Sequence, residues 1–596
     1  MKGLPSTISL RAAVLVAGAA LIVACSGDGL PSERPLSTSF LLGDDSLTAP
    51  VPMAAFTPPG PAAEQGHVFS GTLRLVGVEQ SNGFKAIHDP WERSREVGEP
   101  LRHLPGFEFD FVQRGSDVLP LVTGVQRSNH PYWEIMLLPG RAWQAEEDGG
   151  WTRMSLPFAL QERAANCTHN GVMSWLFRGD KVSRVAYQVV SETCGYFKAD
   201  LWGVVDAEYI PRDLADESAP VIARVDAHRA SRLPVRSLER LAEDYPAIDA
   251  AKLGVADGIP AEDISVLGLV VDEIHYRSDC PTRQGPHPFC ASLPLPSYST
   301  AKSIFAGVAT MRLEQLYPGV SGRSIASLVD ECDEDKWRDV TIEDALDMAT
   351  GNFESSAFGV DEDSAAHEEF VFADSHSEKI EFACDHFPRK AEPGTTFVYH
   401  TSDTYLLGVA LQQLLHERGG GDVYDSVLLE PIWRALHLSR QLDVTKRTYD
   451  DASQPFTGYG LTYEADDIAR IASWLAHDGG MLDGKPVLDT TMLEASLQRL
   501  PGVAGLRAGS DDLYYNNGFW AYDAGPSLNC PEPVWVPFMS GVSGITVAMF
   551  PNGVIYYYFS DSYVFRWQTG REAAHMIRPL CPTADCRPGT DKRTQC

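Results

Sequence analysis

Ser299-Thr300-Ala301-Lys302 is the stretch whose residue types and spacing best suit covalent chemistry. The run after it, Ser303-Ile304-Phe305-Ala306-Gly307-Val308-Ala309, has helical composition. Residues i and i+3 of a helix share one face, with Cβ atoms about 5–6 Å apart. The Lys302 amine therefore reaches the Ser299 hydroxyl. A serine hydroxyl is a weak nucleophile at neutral pH and needs an adjacent base. A serine opening a helix also presents its own backbone N–H to a developing oxyanion. Taken alone, this spacing recurs by chance in long chains, and a helix-capping serine beside a surface lysine explains it as well. Ser324 and Ser402 have no such partner.

Four later segments change that balance. Trp337-Arg338-Asp339-Val340-Thr341-Ile342-Glu343-Asp344-Ala345-Leu346 runs on to Met348-Ala349-Thr350-Gly351. Pro393-Gly394-Thr395-Thr396-Phe397-Val398-Tyr399-His400-Thr401-Ser402 leads into Tyr405-Leu406-Leu407-Gly408. Gly460-Leu461-Thr462-Tyr463 and Asp466-Asp467-Ile468-Ala469-Arg470 precede Gly479-Gly480-Met481-Leu482-Asp483-Gly484. Met539-Ser540-Gly541-Val542-Ser543-Gly544 precedes an apolar run, Ile545 to Phe550. With the Ser-x-x-Lys element, these segments resemble, in order, the motifs of the serine β-lactamase and penicillin-binding-protein family, class C β-lactamases and related esterases above all. The resemblance covers residues of about 264 to 575.

The resemblance implies acyl transfer. Ser299 is the nucleophile, and Lys302 and Tyr399 share its proton and pass it to the leaving group. The N–H groups of Ser299 and Val542 form the oxyanion hole. His400, Thr401, Met539, Ser540 and Gly541 fall at substrate-binding positions. No cofactor or metal is required, and the substrate is a small molecule or a peptide. Without its place in the motif, Tyr399 would read as a core tyrosine. Two departures bear on substrate. The family's Tyr-x-Asn is Tyr399-His400-Thr401 here, which loses an amide that holds a substrate carbonyl. Met539 stands where the family keeps a Lys or His that binds a carboxylate, and a thioether supplies no charge. His400 could substitute in part as a cation. An ester or amide substrate is therefore expected ahead of β-lactam or cell-wall peptide chemistry. A third reading, of another class, is a lipid-tethered binding protein that has lost turnover, against which the retained Ser299, Lys302 and Tyr399 argue.

These residues need a scaffold. The expected fold is α+β: an N-terminal β-rich domain, then a β-lactamase/transpeptidase-like domain in which an antiparallel sheet is flanked by helices and joined to an all-helical subdomain. Residues 1–24 read as a lipoprotein signal peptide, 25–66 as a flexible tether and 67–215 as the β-rich domain. Residues 216–258 read as a linker and helix, with helical pattern from Leu233 to Ala251; 259–578 form the hydrolase domain and 579–596 a cysteine-containing tail. Short alternating runs such as Val185-Ala186-Tyr187-Gln188-Val189-Val190, broken by Gly, Pro, Asn and Asp, carry the β assignment. No Walker loop, dinucleotide fingerprint, His-Glu-x-x-His or Gly-x-Ser-x-Gly occurs.

The 596-residue chain carries 81 acidic residues against 49 Lys and Arg, a formal net charge of −32. With no basic patch, a nucleic-acid partner is not expected. Lys2 and Arg11 precede an apolar run ending Leu21-Ile22-Val23-Ala24-Cys25, which resembles a bacterial lipobox. A lipid on Cys25 would place the protein in a bacterial cell envelope, at the outer membrane or periplasmic face. The other ten cysteines suit an oxidising compartment. Cys167–Cys194 and Cys280–Cys290 are plausible local pairs, and a zinc site from Cys581, Cys586, Cys596 and His575 is the weaker alternative. Oligomeric state stays open. If Cys25 is the lipidation site, intact mass of the mature protein shows a diacylated N-terminal cysteine. Cys25→Ser is then expected to leave a precursor or a soluble protein, and an unmodified N-terminus elsewhere would contradict the assignment.

Overall fold

The computed structural model describes residues 35–58, 68–78, 82–332, 334–510 and 512–581. The expected signal peptide, Cys25, Cys586 and Cys596 lie outside the described residues.

Eight strands from the first half of the chain close on themselves. They are Ser70–Val76, Glu108–Arg114, Asp117–Pro120, Gly140–Gln144, Thr152–Glu162, Thr168–Arg178, Val185–Thr193 and Lys198–Pro211. Each pairs antiparallel with the next, and the last returns to the first through Gly71↔Pro211 to Val76↔Asp206. Closure satisfies every edge, which an open sheet of this size leaves exposed. Alternation explains the interior. Met173, Trp175 and Phe177, and Val185, Tyr187 and Val189, point into one aromatic-rich core. Their neighbours Val172, Leu176, Ala186 and Val190 pack in a second cluster outside. Phe177 stacks on Phe69 at 4.9 Å and on Phe111 at 5.8 Å, so the barrel centre is filled.

The outer cluster holds the first correction. Residues 35–58, expected as part of a flexible tether, lie on the barrel wall. Leu36, Leu41, Val51, Met53 and Phe56 are buried against Val172, Leu176 and Val190. The Gln188 side chain both accepts from the Val51 N–H and donates to the Val51 carbonyl, at 2.9 Å each. The Ser- and Pro-rich composition masked five widely spaced apolar anchors. A second difference lies in the linker: the helix is Ala215–Ser231, and residues 233–251 break into a short strand, Val235–Ser237, and single helical turns such as Leu241–Asp244. Pro234 and Pro246 interrupt the apparent periodicity there. The real helix is pinned to both domains, by Arg114–Asp226 at 2.7 Å and by His228–Glu464 at 3.1 Å.

The second half is built on a nine-stranded sheet. Its order is Val235–Ser237, Ile274–Arg277, Ile264–Val271, Ile555–Ser560, Ile545–Met549, Trp535–Gly541, Phe519–Asp523, Leu513–Asn516 and Leu506–Arg507. All neighbours are antiparallel except the first pair. One face is covered by helix Gln568–Ile577, the other by a helical layer that includes Val308–Leu316, Thr401–Glu417 and Ala465–Ala476. The motif segments are partly structural signals. Thr341 and Asp344 form a capping box that starts helix Ile342–Leu346, and Glu464 and Asp467 do the same for Ala465–Ala476. Among the described residues, no helix is long and apolar enough to cross a membrane.

Four disulfides are present: Cys167–Cys194, Cys280–Cys290, Cys332–Cys384 and Cys530–Cys581. The last removes Cys581 from the zinc alternative. Alkylation in denaturant without reductant is expected to leave all eight of these cysteines unmodified. Replacing Cys332 and Cys384 together with Ala is expected to cost about 2–5 kcal/mol of stability, read as a fall in denaturant midpoint. Free thiol at any of the four pairs would contradict the pairing.

Candidate active site

The turn that carries Ser299 is anchored by a short strand pair. Leu295 and Pro296 pair with Tyr463 and Thr462, which fixes the chain just before Ser299. Tyr298 then adopts φ +41°, a left-handed conformation that a bulky residue takes only when its surroundings impose it. Tight turns follow, Thr300 N–H to the Ser297 carbonyl at 3.1 Å and Lys302 N–H to the Ser299 carbonyl at 3.0 Å. Lys302–Gly307 continues as a π-helical turn, a form often found at functional sites.

The turn places the Lys302 amine where its spacing predicted. Nζ donates to Ser299 Oγ at 3.0 Å and to Thr401 Oγ1 at 2.8 Å. Lys302 is 2 % exposed. Burial pulls its pKa down to about 8, against an opposing pull from Glu362. A lysine so placed is available as a neutral base near physiological pH. Tyr399 completes the group. Its ring centroid lies 4.8 Å from Lys302 Nζ, and its phenol meets the Ser299 hydroxyl. Burial pushes that phenol well above its ordinary pKa, so Tyr399 keeps its proton. The ring stacks on Trp520 at 5.8 Å, which stacks on Phe538 at 6.1 Å.

The remaining predicted positions divide. Thr401 is in the site: it accepts from Lys302, and its N–H donates to Glu362 Oε2 at 2.8 Å. Its hydroxyl donates to Glu362 Oε1. Gly541 lies against the Ser299 turn; a Cβ there would stand 3.0 Å from the Ser297 carbonyl oxygen and 3.4 Å from Ser299 N. Val542 follows on the turn and is 41 % exposed. The backbone N–H groups of Ser299 and Val542 make no hydrogen bond to another backbone group among the described residues. Met539 is fully buried in the core with Phe519, Ile545 and Val547. Ser540 pairs across the strand with Thr546.

His400 is the correction. It is fully buried and stacks flat on Phe387 at 4.1 Å, with Nε2 3.1 Å from Asp361 and Nδ1 3.4 Å from Asp403. Burial disfavours its charge, but Asp403 and Asp361 outweigh that and raise its pKa to about 9. His400 therefore sits as a cation locked between two carboxylates, with no free face for substrate.

Glu362 was not legible as a site residue, because Asp361-Glu362-Asp363 reads as a solvated acidic loop. The structure turns its carboxylate onto Thr401, with His367 at 3.2 Å. Burial raises its pKa, but His367, Lys302 and Thr401 hold it below the ordinary carboxylate value.

No protein-family model matches the chain, and no curated protein matches it. Among solved structures the chain is similar to EstCE1, a hydrolase with promiscuous acyltransferase activity, at 14% identity and TM-score 0.41, covering 59% of this chain and 100% of that one. It is similar to a class C beta-lactamase at 13% identity and TM-score 0.40, covering 57% and 95% of the two chains. It is also similar to the octameric penicillin-binding protein homologue from Pyrococcus abyssi, at 16% identity and TM-score 0.37, covering 58% and 76%. At these scores the likeness carries no weight about chemistry, which rests on the distances above.

A buried amine acting as base gives a definite pH dependence. The rate at which a fluorophosphonate labels Ser299 is expected to rise with pH and level off above the Lys302 pKa of about 8. Glu362→Gln removes the charge that holds this pKa up, so the plateau is expected at lower pH. A flat profile between about pH 6 and about pH 9, or an upward shift in the variant, would contradict the assignment.

Proposed function

We propose that the protein is a serine hydrolase of the β-lactamase-related type, working through an acyl-enzyme at Ser299 on an uncharged ester or amide. The observation that carries this reading is the desolvated Lys302 amine, 3.0 Å from Ser299 Oγ and pulled to a pKa of about 8. Neutral Lys302 takes the Ser299 proton as Oγ bonds to the substrate carbonyl carbon. The oxyanion is received by the N–H groups of Ser299 and Val542. Tyr399, still protonated, gives its proton to the departing alkoxide or amine and is resupplied from Lys302. Water then attacks the acyl-enzyme by the same proton path in reverse, releasing the acid and restoring Ser299.

Met539 and His400 support the substrate class. Neither offers a cation to a substrate carboxylate, since one is buried in an apolar core and the other is locked between Asp361 and Asp403. The wall beside Ser299 is aromatic, from Tyr399 through Trp520 to Phe538. Phe358, 61 % exposed, packs edge-on against Trp520 at 6.2 Å and extends that wall outward. Apolar acyl or alcohol groups gain by covering such a surface. We assign the protein to a bacterial cell envelope through a lipid on Cys25, on the strength of the Leu21-to-Cys25 segment.

Purified protein is expected to hydrolyse short-chain aryl esters and to hydrolyse penicillins poorly or not at all. Ser299→Ala should fall to background. Lys302→Ala and Tyr399→Phe should each cost about 10²–10⁴-fold in kcat/KM. Their double variant should lose far less than the product, because the two groups act as a unit. Full ester turnover by Ser299→Ala would overturn the nucleophile; efficient penicillin turnover would overturn the substrate class.

A further inference from the structure

The barrel reaches into the active site at two points. Asn166, 1 % exposed, lies just after strand Thr152–Glu162. Its Oδ1 accepts from the Tyr298 N–H at 2.8 Å, from Ser297 Oγ at 3.1 Å and from the Gly460 N–H at 3.2 Å. Its Nδ2 donates to the Leu461 carbonyl at 3.4 Å. The first two contacts grip the residues immediately before Ser299, including the one held at φ +41°. Gly195 makes the second contact: its N–H donates to Ser543 Oγ at 2.8 Å. Ser543 follows Val542 and is itself held at φ +74° and fully buried.

The two gripping residues are covalently joined. Asn166 precedes Cys167, Gly195 follows Cys194, and the disulfide Cys167–Cys194 unites them. One cross-linked corner of the barrel therefore holds the turn that ends in the Ser299 N–H and the turn that carries the Val542 N–H. An oxyanion hole works only if its donors are fixed before charge develops. Both turns contain a non-glycine residue at positive φ, a conformation that relaxes unless neighbours enforce it.

We infer that Asn166 and Gly195, braced by Cys167–Cys194, are positioning elements that set the spacing of the oxyanion hole, so that the barrel is an integral part of the hydrolase site. The inference rests on the proposed acyl-enzyme chemistry at Ser299. Asn166→Ala deletes the acceptor that orders the nucleophile turn. Asn166→Asp keeps an acceptor of the same shape and sets a carboxyl oxygen where the amide donated to the Leu461 carbonyl at 3.4 Å, in a buried site that favours the protonated acid. Ser543→Ala releases the second turn without touching Asn166. Thr123→Val removes a barrel-to-hydrolase contact elsewhere, the Thr123 Oγ1 bond to the Arg440 carbonyl at 3.1 Å.

The test measures aryl-ester kcat and KM, fluorophosphonate labelling rate and inhibition by an aryl boronic acid, in the full-length protein. Asn166→Ala and Ser543→Ala are each expected to lower kcat and labelling rate by about 10–10²-fold with KM nearly unchanged. The boronic acid Ki should rise by the same factor, because it mimics the tetrahedral state. Asn166→Asp should recover most of the rate, and Thr123→Val should keep wild-type kcat. If the wild type is not labelled, the hydrolase reading itself fails. If the wild type is labelled and both Asn166→Ala and Ser543→Ala match it in kcat and Ki, the barrel has no positioning role. Should Asn166→Ala not fold, Ser543→Ala alone decides. Equal losses in Asn166→Asp and Asn166→Ala would overturn the role given to the acceptor.

Discussion

A lysine ammonium stripped of water is the constraint around which this protein is arranged. Lys302 is buried, and among the described residues its amine donates to hydroxyls and a peptide carbonyl: Ser299, Thr401 and, at 3.5 Å, the Gly458 oxygen. Isolated burial would drive a charge of this kind to neutrality at a steep energetic cost. Glu362 tempers the cost from behind Thr401 without pairing directly with the amine. The result is a base that is partly neutral where a fully paired lysine would be locked in its charged form. Helix Thr401–Glu417, the loop carrying Glu362 and the π-helical turn after Ser299 all converge on that compromise.

The legible parts of the sequence were those governed by short-range geometry. Ser299 and Lys302 share a helical turn, so three residues of separation sufficed to place them. The β-rich half was readable from alternation, because its strands have one face in the barrel core. In the nine-stranded sheet, Ile264–Val271 was readable as a buried strand from its unbroken apolar run, since both its faces are covered and alternation is lost. What could not be read depends on contacts across the fold. His400 sits beside Tyr399 in sequence, yet the start of a helix turns it to the opposite side. Glu362 and Asn166 reach the site from 37 and 133 residues before Tyr399 and Ser299, where local pattern carries no information. Leu36, Leu41 and Val51 were hidden because a strap needs only occasional apolar anchors and shows no period.

The two halves of the molecule are joined by buried polar contacts more than by an apolar seam. Arg283 bridges Glu192 and Asp200 of the barrel from the hydrolase side, and Lys446 donates to the carbonyls of Glu162 and Arg163. Lys198 answers in the opposite direction, to Asp263 at 2.7 Å and Asp561 at 3.0 Å. Polar contacts of this kind demand one relative placement, since a sliding interface would strand buried charges. Such a junction suits a barrel that braces a catalytic turn and does not suit a module that swings freely.

The strap formed by residues 35–58 would also set how far the hydrolase domain could travel from a lipid on Cys25. Its first buried side chain, Leu36, is already part of the barrel wall. With a lipid on Cys25, only residues 26–34 would lie between the acyl chains and that wall, a leash of about 30 Å at full stretch. A tether running to residue 66 would reach about four times as far at full stretch. If the proposed lipid and hydrolase activity hold, the shorter leash would confine hydrolysis to a thin shell above the bilayer, where turnover would follow the surface density of amphiphilic esters more closely than their bulk concentration.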